Sequence, residues 1–203
     1  MSRIFFYPLL FLAITWCGCK WKSLSPADYV RWVENPKNGL KQSKDIKGVN
    51  FEIQYKPLDF IIANENHKQV LDGSFYNARK QKLGDLVYLT LTLKSGTEDI
   101  MMHKLNDESE YYKRVNYYSL DFQQDIKLLI NKDTLPCLLY QFENMYGVAP
   151  YVKMSLAFSG KHKNDFEKSD PEILLNDRIF GGGLLKFIWK NEDLENIPSV
   201  KIN

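Results

Sequence analysis

The chain has 203 residues, of which 27 are lysine or arginine and 25 are aspartate or glutamate. The formal net charge of +2 produces no strong electrostatic field, so we predict no nucleic-acid partner. Hydrophobic residues make up 44% of the sequence, enough for one domain with a substantial core. No internal repeat, low-complexity tract or long linker divides the chain.

The N-terminus has the organisation of a short secretory segment. Arg3 supplies a positive charge, an apolar run extends from residue 4 to residue 16, and Cys17-Gly18-Cys19 follows. A membrane-spanning helix needs about 20 apolar residues, which is more than this run contains. The length therefore favours the apolar part of a signal peptide over a spanning helix.

Residues 14–19, Ile-Thr-Trp-Cys-Gly-Cys, resemble the lipobox of bacterial lipoproteins, in which a small residue precedes the lipidated cysteine. The resemblance implies cleavage after Gly18, lipidation of Cys19 and membrane attachment through the lipid. Residues 1–18 would be the signal peptide, residues 19–24 a short lipidated tether, and residues 25–203 a single β-rich domain. A soluble secreted protein and an uncleaved membrane helix are the alternatives.

The rest of the chain, rich in tyrosine, lysine and asparagine, is similar to lipoproteins of the Bacteroidota. This likeness implies a cell-envelope protein anchored to the outer membrane. The tether lacks the acidic residues that often follow the cysteine of surface-exported lipoproteins, so we expect the domain to face the periplasm. Its residues from Lys20 to Leu24 reach roughly 17 Å when fully extended, which keeps the domain close to the bilayer.

Three segments have helix signals. Ser25 can cap a helix that begins with Pro26, and Tyr29, Trp32 and Val33 share one face at helical spacing. Further helices are predicted from about Ser74 to Leu83 and from Asp107 to Asn116.

Alternating apolar and polar residues predict antiparallel strands. The pattern occupies residues 51–56, 87–94 and 152–158, and shorter apolar runs follow at 126–130, 135–140 and 184–189, with a final strand after Pro198. Asn131-Lys132-Asp133 predicts the turn of a hairpin. The fold class that fits is α+β, mostly β: an antiparallel β-sandwich-like domain with an N-terminal helix and one or two short helices.

Tyrosines form the main candidate binding surface. Tyr111, Tyr112, Tyr117 and Tyr118 surround Lys113 and Arg114, and Tyr146 belongs to a second aromatic stretch. Tyrosine rings beside basic donors can stack on sugars, peptides or aromatic ligands. The alternative is a helix that runs into a strand and buries part of these rings.

Other residue types give no catalytic or metal site. Cys137 lies at an apolar strand position, and once Cys17 and Cys19 are accounted for it has no disulfide partner. His67, His103 and His162 lack metal-ligand spacing, so we predict neither a metal nor a cofactor. Gly181-Gly182-Gly183 precedes a strand and predicts a turn or a close backbone crossing instead of a phosphate loop. Acidic residues that could pair for hydrolysis are Asp121, Asp125, Asp133 and Glu143.

The sequence therefore predicts a lipid-anchored cell-envelope protein with a non-enzymatic binding or scaffolding role toward an envelope protein or glycan. An envelope hydrolase acting on glycan or peptide is one alternative, and a subunit of a surface or secretion assembly is another. Two carboxylates that converge in a cleft would favour the hydrolase. Exposed tyrosines would favour the binding protein, and an uncovered apolar edge strand would favour assembly.

Overall fold

The structure is a computed structural model that describes residues 23–66, 70–160 and 163–203. The predicted signal peptide, the cleavage position Gly18 and the lipidation site Cys19 lie outside these residues, as do His67 and His162. Within the described ranges, no helix is both long and apolar enough to cross a bilayer.

Eleven strands and six α-helices make up the described chain. In chain order they are β1 (Ser23–Leu24), α1 (Pro26–Glu34), β2 (Lys41–Ile46), β3 (Val49–Lys56), α2 (Leu58–Glu65), α3 (Gly73–Leu83), β4 (Leu86–Lys94), α4 (Glu108–Asn116), β5 (Ile126–Ile130), β6 (Asp133–Pro136), β7 (Leu139–Glu143), β8 (Tyr151–Ser159), α5 (Lys163–Glu167), β9 (Glu172–Asp177), β10 (Gly183–Ile188), α6 (Asn191–Glu195) and β11 (Ser199–Val200). A π-helical segment (Tyr117–Asp121) and a 3₁₀ turn (Phe122–Asp125) connect α4 to β5.

The strands form two antiparallel sheets and one small parallel pair. A five-stranded sheet has the order β2-β3-β4-β8-β7, and a four-stranded sheet has the order β10-β9-β5-β6. β1 pairs in parallel with β11, which joins the start of the described chain to its end. The fold is therefore α+β with sheet dominant, as the alternation of residues predicted.

One face of each sheet is apolar because apolar residues pair with apolar residues across the strands. In the five-stranded sheet, Phe51 pairs with Leu93 and Ile53 with Leu91, and these side chains are fully buried. In the four-stranded sheet, Ile126, Leu175 and Leu185 form one buried row and Leu128, Ile173 and Phe187 form the next. These faces belong to one hydrophobic cluster, which gives the domain its sandwich-like arrangement.

Strands β2 and β10 connect the two sheets at one side. The carboxamide of Gln42 donates to the carbonyl of Ile188 and accepts from its backbone N–H. The Lys44 ammonium lies 5.3 Å from the ring centroid of Phe187. A side chain of β2 thus takes the place of a strand-to-strand pairing with β10.

The predicted helix starts and strands agree with the structure, with one correction at the hairpin. Ser25 caps α1, since its Oγ accepts from the Asp28 N–H at 3.2 Å. The returning hairpin strand β6 ends at Pro136 instead of continuing to residue 140, and β7 belongs to the other sheet. Proline has no N–H to donate, so it suits the end of β6, the edge strand of its sheet.

Candidate functional site

A cleft of about 700 Å³ lies among α1, α2, α3, α5, α6 and the segment that leads into β11. The volume is within the range of small-molecule sites, which is roughly 300–1,000 Å³. Its polar and aromatic lining residues are Tyr29, Asp59, Tyr76, Lys80, Glu167, Lys168, Glu195 and Ser199. Its apolar lining residues are Pro57, Leu58, Leu194, Ile197 and Pro198.

Helix starts position the first half of the cleft. Asp59 lies in the first turn of α2, where the helix dipole favours a negative side chain. Asp72 caps α3 by accepting from the N–H groups of Ser74 and Phe75, which fixes Tyr76 one residue further on. Tyr29 lies on the buried face of α1. Three separate helices therefore bring these side chains to one place.

Two carboxylates in the cleft are each held by a tyrosine. The Tyr76 hydroxyl donates to Oδ1 of Asp59 at 2.8 Å, and the Tyr55 hydroxyl donates to Oε1 of Glu167 at 3.0 Å. The Tyr55 ring is buried and packs 4.6 Å from the ring of Phe166. Asp59 and Glu167 are half-buried, so both carboxylates have fixed positions and still face the cleft.

Tyr29 lies within the electrostatic reach of both carboxylates. Burial raises the pKa of Tyr29, and the negative charges of Asp59 and Glu167 raise it further. Burial and the hydrogen bond to Asp59 also raise the pKa of Tyr76. Both phenols therefore stay protonated at neutral pH, and the cleft presents neutral hydroxyl groups beside two carboxylates.

Exposed charged side chains surround the half-buried carboxylates and the tyrosines of the cleft. Lys80, Lys168 and Glu195 all line the cleft and are exposed to solvent. The Lys80 ammonium lies 5.7 Å from the ring centroid of Tyr76. The cleft thus has carboxylates and tyrosines inside, and two lysines and Glu195 at its mouth.

The tyrosines predicted as a binding surface do not form one patch. Tyr117 and Tyr118 are 8% and 0% exposed, so they belong to the core and correct the prediction for these two residues. Tyr118 stacks on Phe142 and Phe180 between the two sheets. Burying a large ring contributes about 1.5–3 kcal/mol, which explains why the π-helical segment directs these tyrosines inward.

The other three predicted tyrosines lie nearer the surface. Tyr112 and Tyr146 are 57% and 76% exposed, whereas Tyr111 packs partly against the core. The rings of Tyr111 and Tyr112 meet edge to face at 5.6 Å. Tyr111 and Tyr112 lie on α4 and Tyr146 in the loop after β7. A role for these three in binding stays a prediction.

The cysteine and the histidine considered as candidates in the sequence, Cys137 and His103, contact other groups within the protein. Cys137 is buried, its thiol donates to the Leu139 carbonyl at 3.1 Å, and burial raises its pKa to about 11. Such a thiol is almost wholly protonated at neutral pH and is a poor nucleophile. His103 lies 3.0 Å from the hydroxyl of Ser95 through Nδ1. In the part of the chain that the structure describes, no three His, Cys, Asp or Glu side chains are placed to hold a metal ion.

The acidic residues singled out in the sequence lie in separate places. Asp125 accepts from the Tyr117 hydroxyl at 2.8 Å and pairs with Arg178, so it connects the segment before β5 to the end of β9. Asp133 begins β6, and Glu143 ends β7 in the other sheet. The carboxylates that share a cleft are instead Asp59 and Glu167, 108 positions apart in the numbering of the chain.

Comparisons with known proteins add one structural likeness. No family model matches the chain, and no curated protein matches it in sequence. A solved structure of a novel protein of unknown function from Burkholderia pseudomallei is similar over 86% of this chain and 94% of its own. The two chains are 8% identical and superpose with a TM-score of 0.38.

Proposed function

We propose that the protein is a lipid-anchored cell-envelope protein that binds an envelope component in the cleft among α1, α2, α3, α5, α6 and the segment that leads into β11. The observation that carries the binding role is the pair of tyrosine-held carboxylates, Asp59 and Glu167, in a cleft of about 700 Å³. Apolar walls with a few fixed polar groups are typical of ligand sites. The lipobox resemblance supplies the anchoring part of the proposal.

The position of the cleft supports a role beside the membrane. Ser199 lines the cleft and pairs with Ser23 across the small parallel sheet. Ser23 follows Cys19 by four residues, a span of at most roughly 14 Å. A lipid on Cys19 would therefore hold this wall of the cleft near the bilayer surface.

A second candidate function is an envelope hydrolase acting on glycan, favoured by the same two carboxylates. Glycoside hydrolysis needs one carboxyl group that gives a proton to the leaving group. Asp59 and Glu167 each accept a hydrogen bond from a tyrosine, so one carboxyl oxygen of each already has a partner within the protein. We therefore place binding ahead of hydrolysis.

The anchoring part is tested by substituting the proposed lipidation site. We expect Cys19→Ala to lose incorporation of labelled fatty acid and to leave the membrane fraction. The matched control is Cys17→Ala, which removes a neighbouring cysteine and should keep the label. Labelling of Cys19→Ala at the level of the parent chain would show that Cys19 is not the lipidated residue.

The binding part is tested by filling the cleft. Ser199→Trp places an indole at an exposed position of the cleft wall, and Ser43→Trp places one on the exposed face of β2. Saturation-transfer NMR of the full chain in detergent, with glycan and peptide fragments from digested envelope, should detect binding. We expect Ser199→Trp to lose the signal and Ser43→Trp to keep it. Equal signals from the two variants would contradict binding in the cleft.

A further inference from the structure

The charges of the cleft are sorted by depth. The half-buried groups are the carboxylates of Asp59 and Glu167, whereas Lys80, Lys168 and Glu195 are exposed. A ligand that enters this cleft first meets two lysines and one glutamate, a net positive charge, and meets the two half-buried carboxylates further in. The inner part of the cleft therefore suits a cationic group, and the mouth suits a neutral or anionic one.

Tyr29 adds a polar group that points to a ligand. Its side chain is 1% exposed and lines the cleft between the two carboxylate-bearing segments. The negative charges of Asp59 and Glu167 both act on its phenol group, which places the hydroxyl near the two carboxylates on the wall of the cleft. A neutral phenol oxygen can accept a hydrogen bond from an ammonium group.

The aromatic face of the cleft already contacts a cation. The ammonium of Lys80 lies 5.7 Å from the ring centroid of Tyr76, within the distance at which a ring attracts a positive charge. The hydroxyl of the same tyrosine donates to Asp59. One side of the cleft therefore combines a ring face and a carboxylate, two features that together favour organic cations.

We infer that the cleft binds its ligand through an alkylammonium group held by Asp59, Glu167 and the Tyr29 hydroxyl. This inference rests on the proposed binding role and specifies the ligand's chemistry. Each carboxylate accepts from a tyrosine through one oxygen, and the ammonium contacts the same pair from the cleft side. The group can belong to a free small amine or to the ethanolamine headgroup of a membrane lipid.

The probe is ethanolamine, titrated calorimetrically into the full chain in detergent. Ethylene glycol, which replaces the ammonium with a hydroxyl, is the neutral comparison. We expect ethanolamine to bind and ethylene glycol to bind at least about tenfold more weakly, because only the ammonium gains from the two carboxylates. Equal heats from the two compounds would overturn the inference.

Variants assign the binding to the cleft. We expect Asp59→Asn with Glu167→Gln to weaken ethanolamine binding by about tenfold or more. The control, Glu98→Gln with Asp121→Asn, removes two exposed acidic groups elsewhere and should change binding less than about twofold. Lys80 is exposed, so the Lys80→Gln variant should fold normally. Because it loses a positive charge near the site, we expect it to bind ethanolamine about threefold more tightly. Equal losses in both double variants, or no change in Lys80→Gln, would overturn the inference.

Vesicles distinguish the two sources of the ammonium. If phosphatidylethanolamine vesicles compete with ethanolamine and phosphatidylglycerol vesicles do not, the ligand is a headgroup; if neither competes, it is a free amine. Both results support the ammonium site. If ethanolamine fails to bind but Ser199→Trp still abolishes binding of envelope fragments, the proposed function stands and the ammonium inference falls. If the fragments also bind Ser199→Trp, the cleft itself is wrong.

Discussion

Replacing Trp189 by alanine is expected to lower the free energy of unfolding by about 3–5 kcal/mol, the range for removing a buried aromatic side chain. Trp189 follows β10, is 0% exposed and packs 5.9 Å from the ring of Phe166. Its indole N–H donates to the Leu40 carbonyl at 3.1 Å. The side chain thus contacts α5 on one side and the residue before β2 on the other.

Two comparisons separate volume from hydrogen bonding. Trp189→Phe keeps an aromatic ring but removes the indole N–H, while the Leu40 carbonyl still accepts from the Tyr55 backbone N–H, so we expect a loss of about 1–2 kcal/mol. Tyr112→Ala removes an exposed ring from α4 and should cost less than about 1 kcal/mol. Urea unfolding followed by far-UV circular dichroism measures all three. If Trp189→Ala costs no more than Tyr112→Ala, Trp189 is not a packing anchor.

The strands that the sequence predicted well are those with one apolar and one polar face. β4 and β8 alternate from end to end, and their registers place apolar residues opposite each other. Several elements went unpredicted, three of them for different reasons. β2 is an edge strand whose residues from Lys41 to Asp45 are all polar, α2 is apolar on nearly all sides, and β9 is a short run without a turn signal that marks it as a strand.

The cleft could not be predicted from the sequence because its residues come from distant segments. Tyr29 is recognisable as a buried helix residue, and Asp59 reads as an ordinary acidic residue after a proline. Glu167 lies on α5, a helix of five residues that carries no strong pattern. Only the packing of α1, α2 and α5 brings the three together. For the tyrosines of residues 111–118 the sequence predicted a binding surface, but the packing of the core buries two of them.

The middle residue of the triple glycine, Gly182, is explained by one buried carboxylate. Asp177 is 3% exposed and accepts from the backbone N–H groups of Ile179 at 3.0 Å, Phe180 at 3.1 Å and Gly182 at 2.7 Å. A Cβ on Gly182 would lie 2.9 Å from the same carboxylate, so a side chain there would displace it. The turn between β9 and β10 therefore winds closely around Asp177, in agreement with the turn that the glycines predicted.

We expect Asp177→Ala to lower the free energy of unfolding by about 3 kcal/mol or more, because three backbone N–H groups lose the buried acceptor that they share. Asp177→Asn keeps the size but can accept through only one oxygen, and its amide donors face other donors; we expect about 2 kcal/mol. Asp121→Asn, at an exposed aspartate, should change stability by less than about 0.5 kcal/mol. Urea unfolding monitored by tryptophan fluorescence compares them. Coincident midpoints for Asp177→Ala and Asp121→Asn would mean that the turn holds without its carboxylate, and the glycines would then need another explanation.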